Sequence, residues 1–175
     1  MSTTDEILKS NEKFATKFDQ SNLAIPPAKK LAVLACMDAR LNVQEILGLQ
    51  TGDAHIIRNA GGIATEDALR SLIISHHLLG TQEFIVINHT DCGMLTFDDR
   101  DLLHKLEEKT GASAVAPVHF HTFKNLEANV RQQIARIKHH PYVQNVPVRG
   151  FVYDVKTGKL NEVKETGNRA AHKNA

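Results

Sequence analysis

Both cysteines of the chain stand beside other residues able to bind a metal or carry charge. Cys36 opens the run Cys36-Met37-Asp38-Ala39-Arg40, and Cys92 lies within His89-Thr90-Asp91-Cys92-Gly93. A His-x-x-Cys turn can bring an imidazole and a thiolate onto one ion, and Cys36 adds a second thiolate. That soft nitrogen–sulfur set suits zinc. Structural zinc sites normally close with four protein ligands, whereas three leave an open position of the catalytic kind. Asp38, two residues from Cys36, is placed either to fill that position or to orient what does. In extended backbone Cys36, Asp38 and Arg40 share one face, so thiol, carboxylate and guanidinium are expected together. Each feature alone has a plainer reading: a cysteine serving as a small hydrophobe, a structural histidine, an ordinary ion pair. Their joint arrival at the ends of two apolar runs favours a metal site.

Those runs are the elements that must position the site. Residues 31–36, 54–57, 84–89 and 148–153 are short and continuously apolar, the pattern of strands buried on both faces. Helical stretches at 42–47, 65–79, 98–109 and 120–139 separate them, with Thr65 a capping hydroxyl and Gly80 a stop. The alternation predicts an α/β fold: a mainly parallel central sheet of about four strands, flanked by helices. Ligand crevices of such sheets open at the carboxyl ends of the strands, where both motifs lie. After the Thr157-Gly158 turn, residues 160–163 are expected to return as an antiparallel edge strand. Residues 1–27 read as an N-terminal helical arm capped by Thr4 or Asp5, with Ile7, Leu8, Phe14 and Phe18 on its stripe. The α/β domain is assigned to 28–165, and 166–175 to a loose, polar C-terminal tail.

Composition narrows the function classes. The 175 residues carry 21 Lys+Arg against 20 Asp+Glu, a balance without the basic excess of a nucleic-acid binder. No apolar run approaches the roughly 20 residues of a membrane span, and the start lacks the basic and apolar regions of a secretory signal. A cytoplasmic, soluble enzyme is expected, in a compartment where two cysteines stay reduced.

Cys-x-Asp-x-Arg followed by His-x-x-Cys, with Arg58-Asn59-Ala60-Gly61-Gly62 between them, resembles the β-class carbonic anhydrases. Ala35-Cys-Met-Asp-Ala-Arg40, His89-Thr-Asp-Cys-Gly-Met94 and Arg149-Gly-Phe-Val-Tyr-Asp154 are most similar to their short bacterial branch. The resemblance implies reversible hydration of CO2 to bicarbonate by zinc-bound hydroxide, with zinc on Cys36, His89 and Cys92. It further implies an Asp38–Arg40 dyad that orients the nucleophile, and a closed state in which Asp38 itself binds the metal. Gly61 and Gly62 would let backbone approach the substrate. Family members pair into homodimers or higher homo-oligomers, for which the arm is a plausible clasp. Met37 and Ala39 stand where serines are common, and Asn88 and Met94 where glycines are. These changes alter pocket walls, so a related zinc hydrolase acting on carbon disulfide or carbonyl sulfide is the alternative. A non-catalytic zinc or thiol sensor is a third reading, against which the retained Asp38–Arg40 pair argues. The tryptophan used by a regulatory bicarbonate pocket in some members is absent from the sequence.

Overall fold

The computed structural model describes residues 2–112 and 119–164. The first apolar run forms β1 (Leu31–Cys36) at the heart of a five-stranded sheet. Two parallel neighbours flank it, β2 (Ala54–Asn59) and β3 (Glu83–His89). β4 (Val148–Tyr153) continues parallel to β3, and β5 (Leu160–Glu162) closes the edge antiparallel to β4. The order is thus β2-β1-β3-β4-β5, the predicted parallel sheet with one reversed edge.

β1 and β3 are apolar on both faces because helices cover both. On one side α3 (Glu66–His77) and α5 (Leu126–Lys138) pack Leu72, Val130 and Ile134 against Leu34, Phe84 and Val86. On the other, α2 (Val43–Leu47) sets Val43 against Val33, Ala35 and Ile87. The helices start where capping chemistry dictates: Asn42, Thr65 and Asn125 each accept a backbone N–H of the first turn.

The last helix is shorter at its start than the 120–139 stretch predicts. α5 starts at Leu126 because Asn125 caps it, while the residues before it are tied to α4 (Asp99–Thr110) instead. Asp99 accepts the N–H groups of Phe120 and Thr122 and the Thr122 hydroxyl. At the N-terminus, α1 (Thr3–Ala15) is capped not by Thr4 or Asp5 but by Ser2, in a reciprocal box with Asp5. No residue of α1 is buried; Ile7, Leu8 and Phe14 are 62%, 57% and 61% exposed. The tail assigned to 166–175 lies outside the described residues. Among those described, no helix is long and apolar enough to cross a membrane.

What this architecture does for the site is simple. Register pairs Ala35 of β1 with Ile87 of β3, so the two strands finish side by side and deliver Cys36 and His89 to one rim.

Candidate metal centre

The ligand atoms of Cys36, His89 and Cys92 lie within 4.8 Å of one another, all three residues buried. Both cysteines are free thiols. His89 Nδ1 is 2.9 Å from the Thr90 carbonyl. A carbonyl only accepts, so in the neutral ring Nδ1 carries the proton and Nε2 keeps its lone pair. Nε2 is the buried side-chain polar atom without a hydrogen-bond partner among the described residues. A buried, unpaired imidazole nitrogen is costly in an apolar setting, and a cation between it and two sulfurs removes that cost. Zinc bonds of roughly 2.0–2.3 Å to nitrogen and sulfur suit such a trio, and a ligating histidine that donates its other N–H to a carbonyl is the usual arrangement. The residues fit the ion.

The electrostatics agree. The Cys92 thiol, the His89 imidazole and the backbone N–H groups of Asp38 and Gly61 pull the Cys36 thiol far below its ordinary range, against the effect of burial. Cys92 is pushed the opposite way, by the neighbouring Cys36 sulfur and by burial. Cys36 is therefore the sulfur that ionises more readily, and binding of a cation would draw the second proton off Cys92. Burial disfavours the imidazolium of His89, but the Cys36 sulfur, the Thr90 carbonyl and the Asp38 carboxylate outweigh it.

Asp38 and Arg40 meet by a different route from the one strand alternation predicts. β1 ends at Cys36, and the chain turns so that the Arg40 N–H donates to Asp38 Oδ1 at 2.9 Å. This short turn, not an extended face, lets the guanidinium grip the same carboxylate. Nε reaches Oδ1 at 2.9 Å and an Nη reaches Oδ2 at 2.8 Å, the bidentate geometry that Arg favours. Arg40 holds the Asp38 carboxyl well below the usual carboxylate range. Oδ2 lies 3.7 Å from His89 Nε2, so the gripped carboxylate borders the ligand cluster.

Two residues to which the sequence assigned no definite role complete this rim. Asp91 accepts from the other Arg40 Nη at 2.8 Å, and its own carbonyl accepts at 3.0 Å. Both oxygens face Arg40 because Asp91 adopts φ +56°, a left-handed conformation that Asp tolerates better than most residues. Arg58 donates to the carbonyls of Cys36 (3.0 Å) and Asp38 (2.7 Å), pinning the turn from below. The signals were weak in the sequence. An acidic residue between two ligands and an Arg at a strand end are common surface features.

A cavity of about 360 Å³ opens onto the cluster, with Asp38 and Met37 on its rim and Met94, Phe97 and Gly61 on its walls. The two glycines separate here. Gly61 lines the cavity, while Gly62 (φ +61°) lies behind it, where a Cβ would press on the Ala35 and Ile87 backbone and the Asn88 amide. The Asn59 side chain does not face the substrate space. It closes the loop by accepting from Ile63 N–H and donating to the Ile63 carbonyl.

The carbonic anhydrase family model matches residues 31–160. β-Carbonic anhydrase 1 of Mycobacterium tuberculosis is 47% identical over 165 residues, covering 93% of this chain and 99% of the relative. A carbon disulfide hydrolase of Saccharolobus solfataricus is 35% identical over 181 residues, covering 90% and 87%. Among solved structures, a carbonic anhydrase from Streptococcus mutans superposes with a TM-score of 0.89 at 39% identity, over 94% of this chain and 99% of that one.

Proposed function

The chain belongs to the β-carbonic anhydrase family, and from that premise we propose that it interconverts CO2 and bicarbonate at a zinc ion on Cys36, His89 and Cys92. The observation that carries this is the His89 Nε2 lone pair, buried and unpartnered, turned toward two sulfurs beside a carboxylate gripped by arginine. When bound, zinc supplies the Lewis acidity that makes a water nucleophilic near neutral pH. Every other part belongs to the chain. Cys36 and Cys92 provide the negative charge that retains the cation, and the Thr90 carbonyl fixes the imidazole in its ligating tautomer. Asp38 Oδ2, ionised and held by Arg40 beside the three donors, would accept a hydrogen bond from an attacking water and orient it toward substrate. Met94 and Phe97 give an apolar wall to a small linear molecule with no net dipole. Released by Arg40, the same carboxylate, 3.7 Å from His89 Nε2, would be free to bind the metal itself and shut the site.

The match to a carbon disulfide hydrolase favours a second reading, in which the same machinery attacks CS2 or carbonyl sulfide. Stopped-flow hydration of CO2 and hydrolysis of CS2 on one zinc-quantified sample separate them. CO2 hydration is expected to dominate and to rise with pH across roughly 6–9, because two thiolates make a bound water less acidic than three imidazoles do. About one zinc per chain with no hydration at any pH would overturn the proposal.

We propose a homodimer, which the bare apolar stripe of α1 supports. Its exposed Ile7, Leu8 and Phe14, together with Leu78 just past α3, 75% exposed, are surfaces for a second copy to cover. A monomeric mass in solution would exclude it.

A further inference from the structure

Three buried amide side chains join the pocket wall to a helix behind the sheet. The Ala64 N–H donates to Gln133 Oε1 at 3.0 Å, and Gln133 Nε2 donates to Asn129 Oδ1 at 2.8 Å. Asn129 Nδ2 donates to Asn88 Oδ1 at 2.6 Å, and Asn88 Nδ2 donates to the Gly61 carbonyl at 2.8 Å. The chain begins and ends on one loop, and its two ends fix its direction. A backbone N–H only donates and a carbonyl only accepts, so each amide has one possible orientation. Asn88, Asn129 and Gln133 are 1%, 4% and 3% exposed, beside the apolar cluster of Val130 and Ile134. Three amides in such a place are costly to bury unless fully connected, and fully connected they specify one arrangement of what they touch.

What they touch is the loop that carries Gly61. That residue lines the cavity together with Cys36, His89 and Cys92. Asn88 precedes the ligand His89 and points to the opposite face of β3, where α5 presents Asn129 and Gln133 one turn apart.

We propose that Gln133, Asn129 and Asn88 are positioning residues: a closed amide relay that holds the Gly61–Ala64 loop, and with it the cavity wall that Gly61 forms beside the three donors. The relay contributes no atom to the cavity. It rests on the reading of that cavity as the active site for its catalytic meaning, but its effect on the loop stands apart from that reading.

The test compares Asn129→Ala with Val130→Ala, the adjacent residue on α5, fully buried but outside the relay. In the zinc-quantified protein, hydrogen exchange at the Gly61 and Ala64 amides is followed alongside kcat and KM for CO2. N129A is expected to speed exchange at both amides about tenfold relative to V130A, and to lower kcat about tenfold at unchanged KM. V130A, though destabilised, keeps wild-type kcat. Gln133→Met cuts only the Ala64 end and decides the question if N129A does not fold; it is expected to speed Ala64 exchange more than Gly61 exchange. Equal loop exchange in relay and control variants, at matched stability, would overturn the proposal. Failure of the function reads differently: a zinc-loaded wild type inactive toward CO2 whose loop still loosens in N129A.

Discussion

The tips of β1 and β3 lie side by side and serve one centre, yet they are built on opposite principles. The β3 tip shields its donors from solvent. His89 and Cys92 are buried, and their placement follows from strand register and from the left-handed turn at Asp91. The β1 tip buries Cys36 and then turns outward into charge, where Asp38 is held only by hydrogen bonds and by an Arg40 whose side chain is 46% exposed. Burial fixes one set of groups; ion pairing that water can compete with fixes the other. On the proposed function, the donors would form a rigid half of the site and the Asp38–Arg40 pair a half able to switch.

If that contrast is right, the rigid half fails completely and the switchable half by degrees. His89→Ala leaves two sulfurs around a void and is expected to abolish both zinc retention and CO2 hydration, as read by metal analysis and stopped-flow. Zinc at one per chain in that variant would mean the ion is held elsewhere. Arg40→Ala leaves the donors intact and frees Asp38, so zinc content should stay at the wild-type level. Hydration should fall roughly 10–100-fold, the usual effect of losing a partner just outside the metal ligands. Full activity in R40A would remove the gate from the mechanism.

Asp91 tests where the boundary between the halves lies. It belongs to the β3 tip by position but to the charged pair by contact, two of its oxygens accepting from Arg40. Asp91→Asn keeps a side chain that tolerates positive φ and leaves the carbonyl contact, removing only the charge. The exposed ion pair is worth little, so kcat/KM should fall less than about fivefold. A loss as large as that of R40A would place Asp91 inside the gate rather than beside it.

The same contrast explains what could be read in advance. The strands and three donors were legible because buried parallel strands are continuous apolar runs, and a His-x-x-Cys turn has few uses at the end of one. Side-chain direction past Cys36 was not: alternation holds only while the strand lasts, and the Asp38–Arg40 turn begins where β1 stops. Nor was the start of α5, where hydrogen bonds to Asp99 from 21 and 23 residues away outweigh local helical preference. Asn129 and Gln133 look in sequence like the polar face of an amphipathic helix. Only the packed structure puts that face inward.

The smallest effect concerns the cover over the β3 tip. Phe123 leans on that tip: a Cβ on Gly61 would meet both Phe123 and Met94, and the Phe123 N–H donates to the Met94 carbonyl at 3.4 Å. The segment leading to it is held by Asp99, whose two carboxylate oxygens accept from Phe120 and Thr122. Burial favours the neutral acid, but these donors outweigh it, and the Asp99 pKa is lowered. A depressed folded-state pKa contributes stability that is complete above the unfolded value of about 3.9 and is lost as pH falls through the folded value. Asp99→Ala is therefore expected to cost about 1 kcal/mol near neutrality, a drop in Tm of roughly 2–4 °C. The gap between variant and wild type should be constant from about pH 7 to 5 and narrow below about 4. A gap that does not change with pH would show that Asp99 acts by filling space, and the cover would then be held as the rigid half is, by packing alone.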